Sequence, residues 1–123
     1  MREIRPKTPK FYVDITGKAH AEDWLQGLKD LSAKATIVAR LARIRRGLLG
    51  DCERYEMVTE LRIDFGPGYR VYTVEDGFEL VILLCGGDKS SQKRDFKEAR
   101  RLANEYHKEK KEGRGAKLRS FPD

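Results

Sequence analysis

The sequence predicts a single domain of the α+β class, with an antiparallel sheet packed against helices in the order β-αα-βββ-α. The main evidence is the spacing of apolar residues, which changes along the chain from a helical repeat to the alternation of a strand and back to a helical repeat. The chain has 123 residues, of which 39% are hydrophobic and 37% are charged. That length suits one hydrophobic core, and that composition predicts a compact core beneath a highly charged surface.

The N-terminal segment, residues 1–10, carries two prolines and shows no apolar periodicity. We predict an extended arm there, leading into a short strand over residues 11–15. The folded domain is expected to span residues 11–107. Beyond it, residues 108–123 offer few apolar side chains to bury, so we expect a basic, flexible tail that is ordered only by a partner.

Two helices joined by a very short connection are predicted after the first strand. Their apolar stripes consist of Ala21, Trp24, Leu25, Leu28 and Leu31 in the first helix and Ala33, Ile37, Leu41 and Ile44 in the second. Glu22 and Asp23 in the first turn of the first helix favour its dipole, and Ser32 suits the N-cap of the second. The second helix is expected to end at Gly47.

Three strands in an antiparallel meander are predicted next. Residues 57–65 and 69–74 alternate apolar and polar side chains on either side of the Gly66-Pro67-Gly68 turn. Asp76-Gly77 then predicts a tight two-residue hairpin. The third run, residues 78–85, is apolar on both faces apart from one glutamate. We therefore expect it to be the central, covered strand, with the helices on one face of the sheet.

A final helix is predicted after Gly86-Gly87-Asp88, with Ser90 or Ser91 as its N-cap. Its apolar face comprises Phe96, Ala99, Leu102, Ala103 and Tyr106, and its other face is basic. The net charge of +6 comes from this end, because residues 89–123 hold 12 basic and 6 acidic side chains whereas residues 1–88 hold 14 of each. This asymmetry favours a polyanionic partner, either nucleic acid or an acidic protein segment; the alternative is a solvated basic helix and tail.

Several functional classes are disfavoured by what the chain lacks. Its longest apolar stretch, residues 80–85, is far shorter than a membrane span, and no apolar run follows the basic N-terminus, so we expect a cytoplasmic protein without membrane contact. Cys52 and Cys85 form no Cys-x-x-Cys pair, and His20 and His107 lie beside no candidate nucleophile or metal cluster. The glycine-rich segment before the last helix lacks the spacing of a phosphate-binding P-loop. We therefore expect no metal and no cofactor.

Three cations occupy structured positions. Arg62 lies on the polar face of one meander strand, Arg70 comes just after the tight turn, and Lys89 follows the central strand. Pairing through the turn brings the residues before and after it side by side, so all three cations can converge at one end of the sheet. Fixed guanidinium groups bind phosphates and stabilise the charge that develops in phosphoryl chemistry. The residues therefore predict a phosphate-handling site.

Candidate RNA contacts surround these cations. Tyr69 and Tyr72 are candidates for stacking on unpaired bases, and Lys93 and Arg94 on the basic last helix are candidates for binding RNA. The alternative is that both tyrosines are ordinary strand aromatics and that Arg62 pairs with a neighbouring carboxylate.

Two runs of sequence are specific enough to carry a resemblance. One is Glu-Leu-Arg-Ile-Asp-Phe-Gly-Pro-Gly-Tyr-Arg-Val-Tyr at residues 60–72, and the other is Leu-Leu-Cys-Gly-Gly-Asp-Lys-Ser-Ser-Gln at residues 83–92. Together with Trp24-Leu25 and residues 39–51, they resemble the addiction-module killer proteins, a HigB-like branch of the RelE/ParE toxin superfamily. The resemblance extends over residues 11–106.

The resemblance implies a small RelE/ParE-like α+β toxin, neutralised by an antitoxin that is encoded beside it and typically carries a helix-turn-helix DNA-binding domain. Related members are ribosome-dependent endoribonucleases (mRNA interferases), which cut messenger RNA by attack of a ribose 2′-hydroxyl on the adjacent phosphate. On this resemblance Arg70 is the catalytic arginine that stabilises the transition state. Arg62 positions the phosphate, and Lys89 neutralises charge or assists the leaving 5′-oxygen.

The chain departs from the ribonucleolytic relatives at two places. Val58 and Glu60 occupy a stretch where such enzymes often carry lysines, and no tyrosine follows in the first turn of the last helix, so no general base is assigned. Glu60 either acts as that base or forms a salt bridge on the strand surface, and the salt bridge is favoured. Some superfamily members inhibit DNA gyrase and cut nothing. A non-catalytic relative that only forms complexes is the third alternative.

Overall fold

The computed structural model of the chain describes residues 4–122. The expectations for residues 1–3 of the arm and residue 123 of the tail lie outside the described residues. The predicted α+β class is confirmed. The elements are β1 (Thr8–Val13), α1 (His20–Gln26), α2 (Leu31–Ala42), β2 (Cys52–Arg54), β3 (Thr59–Ile63), β4 (Tyr69–Asp76), β5 (Leu80–Asp88), α3 (Gln92–Lys111) and β6 (Lys117–Ser120).

Across residues 4–122, six strands form one mixed sheet in the order β2-β3-β4-β5-β1-β6. The predicted meander is present as β3, β4 and β5, and β5 occupies an interior position as expected. The prediction of a purely antiparallel sheet is wrong, because β1 pairs in parallel with β5 from Thr8↔Leu80 to Phe11↔Leu83. The direction in which β1 joins the sheet depends on the path of the intervening helices, which no local pattern records.

The turn between β4 and β5 contains three residues rather than the predicted two. Asp76 lies opposite Leu80, so residues 77–79 form the connection. Gly77 adopts a left-handed backbone conformation there, with φ of 67°. Hairpins with three-residue loops commonly place a glycine in this conformation.

Helices cover both faces of the sheet, whereas one covered face was predicted. On one face α1 and α2 contribute Ala21, Leu25, Ala33, Ile37 and Leu41 to a core that includes Phe11, Val71, Val81 and Leu83. On the other face α3 contributes Ala99, Leu102, Ala103 and Tyr106 to a second core with Tyr12, Tyr72, Ile82 and Leu84. The two faces explain why β5 is apolar at successive positions, since adjacent side chains on a strand point in opposite directions.

Aspartates, rather than the predicted serines, supply the side-chain caps of two helical segments. The carboxylate of Asp30 accepts hydrogen bonds from the backbone N–H groups of Ser32 and Ala33 at the start of α2. Asp88 accepts from Ser90 in the 3₁₀ turn that precedes α3, at 2.8 Å. Ser91 occupies the N-cap position of α3, but its side chain makes no capping hydrogen bond.

The C-terminal segment is ordered against the domain, contrary to the expectation of a flexible tail. Helix α3 continues to Lys111, and β6 pairs antiparallel with β1. Phe121 is buried at 3% exposure, with its ring centroid 5.6 Å from that of Phe11. The strand could not be predicted from the sequence because it has no alternating apolar pattern. Backbone pairing with β1 and the buried ring of Phe121 hold it in place instead.

Replacing Phe121 with alanine is expected to lower the free energy of unfolding by about 3 kcal/mol, the usual cost of deleting a buried phenylalanine ring. Urea denaturation followed by circular dichroism measures the change. Phe78→Ala is the matched control, because Phe78 is 75% exposed in the turn between β4 and β5. Equal stabilities of the two variants would show that the C-terminal segment does not dock on the domain.

Candidate functional site

Two arginines face each other on neighbouring strands. Arg62 on β3 lies directly opposite Arg70 on β4, and the next pair on this face is Glu60 opposite Tyr72. Tyr72 belongs to the core beneath α3, so all four residues lie on the α3 side of the sheet. Like charges directly opposite each other destabilise a sheet, so this pair requires a counter-charge.

Glu60 supplies that counter-charge from a buried position, at 1% exposure. Its Oε1 lies 3.0 Å from Nε of Arg62 and 3.9 Å from Nε of Arg70. Its Oε2 accepts a hydrogen bond of 2.9 Å from the side-chain amide of Gln92 at the start of α3. Both carboxylate oxygens are therefore engaged, as the salt-bridge alternative predicts, although the bridge is buried rather than on the strand surface.

Arg70 is buried, at 9% exposure. Its Nη1 donates to the backbone carbonyl of Tyr69 at 3.1 Å. Its Nε is fully buried and has no hydrogen-bond partner within residues 4–122. Arg70 therefore lies enclosed beside a buried carboxylate, and one of its donors is unused within residues 4–122.

Arg62 is more exposed and is tied by two carboxylates. Its side chain is 33% exposed, and it pairs with Glu53 on β2 as well as with Glu60. The hydrogen bond with Glu60, followed by the charges of both glutamates, raises the pKa of Arg62. These pairs agree with the alternative that Arg62 pairs with a neighbouring carboxylate. A phosphate positioned by Arg62 would have to compete with these carboxylates for its guanidinium.

Lys89 lies beside the turn that joins β3 and β4. Its backbone N–H donates to the carbonyl of Gly68 at 2.9 Å. Its aliphatic stem covers Gly68, where a Cβ atom would come within 3.3 Å of the Lys89 Cδ. Lys89 is therefore located at the end of the sheet that carries Arg62 and Arg70, with its side chain exposed.

Gly86 and Gly87 are required by packing, which accounts for the glycine-rich segment without a phosphate loop. A Cβ on Gly86 would overlap the ring of Trp24, and a Cβ on Gly87 would overlap the carboxylate of Asp95. Gly87 is opposite Arg70 in the sheet. The absence of a side chain at this position lets the first turn of α3 approach the strand that carries Arg70.

Tyr69 and Tyr72 are core residues, so the prediction that they stack on RNA bases is wrong. Tyr69 is 8% exposed and packs on the ring of Trp24, with centroids 6.2 Å apart. Tyr72 is fully buried beneath α3, and burial together with the charge of Glu60 raises the pKa of its hydroxyl. Strand alternation places the two tyrosines on opposite faces, but helices cover both of those faces.

Lys93 and Arg94 are exposed in the first turn of α3, as a role in binding RNA requires. Arg94 lies 3.8 Å from the carboxylate of Asp95, while the ammonium groups of Lys89 and Lys93 form no hydrogen bond or ion pair within residues 4–122. The N-terminus of the 20-residue helix adds positive partial charge at the same place. This corner of the molecule can attract an anion.

An open cleft of about 490 Å³ lies between these lysines and the connection from β2 to β3. Its wall is formed by Tyr55 and Phe96, whose ring centroids are 4.8 Å apart in an edge-on arrangement. Gln92 lines the cleft together with Glu60. No site role is predicted from the sequence for Tyr55, Phe96 or Gln92. Gln92 is the last residue of the recognised run at residues 83–92, and this position was the one feature of the sequence that could have indicated a site role for it.

Arg40 is a further residue that the sequence analysis did not assign to the site, although it lies within the recognised stretch. From α2 its guanidinium donates to the backbone carbonyls of Leu49, Asp51 and Arg62. Burial lowers the pKa of Arg40. These bonds hold β2 against β3 and so fix the backbone at Arg62 from the opposite face of the sheet.

Within residues 4–122 no helix is both long and apolar enough to cross a membrane, and no three His, Cys, Asp or Glu side chains are grouped so that they could hold a metal ion. The site itself consists of cations and the Gln92 amide arranged around the buried carboxylate of Glu60.

A protein of Haemophilus influenzae, described only as an uncharacterized protein, is 52% identical to this chain over 85 residues. The match covers 68% of this chain and 86% of the relative. No protein-family profile matches the chain, and no solved structure is significantly similar to it.

Proposed function

The chain belongs to the same family as the Haemophilus influenzae protein, and from its own residues we propose that it is the toxin of a type II toxin–antitoxin system. Its proposed activity is ribosome-dependent cleavage of messenger RNA, and its proposed fold family is RelE/ParE. The observation that carries the proposal is Arg70, a buried guanidinium whose Nε makes no hydrogen bond within residues 4–122 and which lies opposite Arg62 on the neighbouring strand. The resemblance of residues 60–72 and 83–92 to the killer proteins supplies the reaction.

In the proposed reaction the ribose 2′-oxygen forms a bond to the adjacent phosphorus while the bond from phosphorus to the 5′-oxygen breaks. The products are a 2′,3′-cyclic phosphate and a 5′-hydroxyl end. Negative charge builds up on the phosphoryl oxygens in the transition state. A guanidinium that is already oriented stabilises this charge without reorganising, and the buried position of Arg70 supplies such orientation.

The remaining cations have supporting roles in this proposal. Lys89 neutralises charge near the leaving 5′-oxygen or donates a proton to it. Lys93 and Arg94 contact the RNA backbone from the first turn of α3. Arg62 positions the phosphate when its pair with the half-exposed Glu53 opens, while Glu60 holds both arginines in place.

The partner in this proposal is a cognate antitoxin, typically of the helix-turn-helix type, which neutralises the toxin. The basic C-terminal end supports a polyanionic partner, but the structure engages part of that charge internally. Lys110 pairs with Asp76 at 2.7 Å, and Arg119 pairs with Glu22 at 2.9 Å. Binding to ribosomal RNA therefore relies on the lysines and arginines of α3 that remain exposed.

The proposal is tested by adding the purified protein to a cell-free translation reaction and mapping RNA 5′ ends by primer extension. We expect new ends on translated messages and none on the same RNA without ribosomes. If folded protein produces no new ends, the ribonuclease proposal is wrong.

Two further readouts identify the alternatives in that case. Induction of the DNA-damage response on expression in cells would indicate inhibition of gyrase. Unaffected growth on expression without an antitoxin would indicate a non-catalytic relative whose function is complex formation.

A further inference from the structure

Tyr55 is an exposed aromatic side chain that no part of the core requires. It is 39% exposed and follows β2 at the start of a short connection in which Met57 adopts a left-handed backbone conformation, with φ of 73°. Its ring is nevertheless fixed, because it packs against Phe96 in an edge-to-face arrangement and its hydroxyl donates to Glu53 at 3.0 Å. A fixed, exposed ring is a surface on which a flat ligand can stack with little loss of side-chain entropy.

The surroundings of the ring specify the chemistry of that ligand. Tyr55 lines the cleft of about 490 Å³ that also contains Lys89 and Lys93. These two exposed lysines form no ion pair within residues 4–122, so an anionic group can bind them without breaking existing contacts. An aromatic surface beside unpaired cations matches a ligand with a planar base and a phosphate.

The floor of the cleft offers a polar contact to the edge of such a base. The Nε2 of Gln92 donates to Glu60, which orients the amide so that its Oε1 is the free atom. This oxygen accepts no hydrogen bond within residues 4–122. Each of the four RNA bases has an N–H group that can donate to it, so the contact does not select among bases.

We propose that this cleft binds one unpaired RNA nucleotide, with its base stacked on Tyr55 and its phosphate at Lys89 and Lys93. The choice of RNA as the natural ligand rests on the proposed function. The cleft shares Glu60 and Lys89 with the arginine site, so the bound nucleotide is a neighbour of the phosphate at Arg70. Tyr55 thereby takes the stacking role that the sequence analysis assigned to Tyr69 and Tyr72.

The test uses adenosine 5′-monophosphate and ribose 5-phosphate as probes, titrated into the full-length protein and followed by two-dimensional NMR of the backbone amides. We expect the nucleotide to shift the amides of Ser90, Lys93 and Phe96. Ribose 5-phosphate, which has no base, should bind about tenfold more weakly, since a base stacked on an aromatic ring contributes about a factor of ten. Equal affinities, or no shifts in the cleft with the nucleotide, would overturn the proposal.

Three variants assign the effect to the ring. Tyr55→Ala should weaken nucleotide binding about tenfold, whereas Tyr55→Phe keeps the stacking surface and should bind as the unchanged protein does. Phe78→Ala removes another exposed aromatic that lies outside the cleft, and we expect no effect. Wild-type binding by Tyr55→Ala would contradict the proposal. Thermal melts of all variants confirm folding.

Cleavage assays on the same samples separate this inference from the proposed function. If nucleotide binding depends on Tyr55 in a protein that cuts no RNA, the nucleotide site is supported and the proposal of ribonuclease activity is wrong. If the protein cuts RNA but its binding does not depend on the base, the proposal of a nucleotide site is wrong and the proposal of ribonuclease activity is supported.

Discussion

Replacing Arg70 with lysine is expected to reduce RNA cleavage on the ribosome by about 10²–10³-fold, the usual loss when a preorganised donor to transition-state charge is removed. Lysine retains the positive charge that Glu60 requires, so the protein should still fold. What is lost is the planar guanidinium, whose donors match phosphoryl oxygens in a fixed geometry. Primer extension over a time course measures the rate. Arg70→Ala is less informative because Arg70 is buried and its removal also leaves a cavity.

Arg54→Lys is the matched control for this substitution. Arg54 lies on β2 and pairs with Glu75, with its side chain 56% exposed. We expect its cleavage rate to equal that of the unchanged protein. Full activity of Arg70→Lys, in protein with an unchanged melting temperature, would remove Arg70 from the proposed mechanism. Loss of activity in both variants would show that the effect is not specific to Arg70 and would argue against a catalytic role for this arginine.

Replacing Glu60 with glutamine is expected to lower the free energy of unfolding by about 3 kcal/mol, because removing one partner from a buried ion pair leaves an uncompensated charge. The side chain keeps its shape, so the loss is electrostatic. Arg62 retains Glu53, whereas Arg70 has no other carboxylate within 4.0 Å in residues 4–122. Urea denaturation measures the effect.

Glu53→Gln is the matched control for Glu60, since the two glutamates lie opposite each other on β2 and β3. The side chain of Glu53 is 48% exposed, and an exposed ion pair contributes only about 0–1 kcal/mol. A double variant, Glu60→Gln with Arg70→Gln, should recover part of the lost stability because the uncompensated charge is gone. A small loss in Glu60→Gln, similar to that in Glu53→Gln, would show that Glu60 does not neutralise the arginine pair.

The sequence determined the elements whose causes are local. Helical spacing placed α1, α2 and α3, and strand alternation with its turn residues placed β3, β4 and β5. The apolar run on both sides of β5 indicated an interior strand, because only such a strand buries successive side chains. The Gly66-Pro67-Gly68 turn and the alternation around it also predicted that Arg62 and Arg70 lie together, which the register confirms. Each of these inferences depends only on residues close together in the chain.

The tertiary structure decided what depends on distant residues. Alternation shows which side chains share a face but not what covers that face, so only packing revealed that Trp24 and α3 bury Tyr69 and Tyr72. Strand β6 is fixed by backbone pairing with β1, more than a hundred residues away in sequence. The cleft at Tyr55 forms because α3 approaches the β2–β3 connection. Such contacts arise from the path of the whole chain, and no local pattern of residue types records that path.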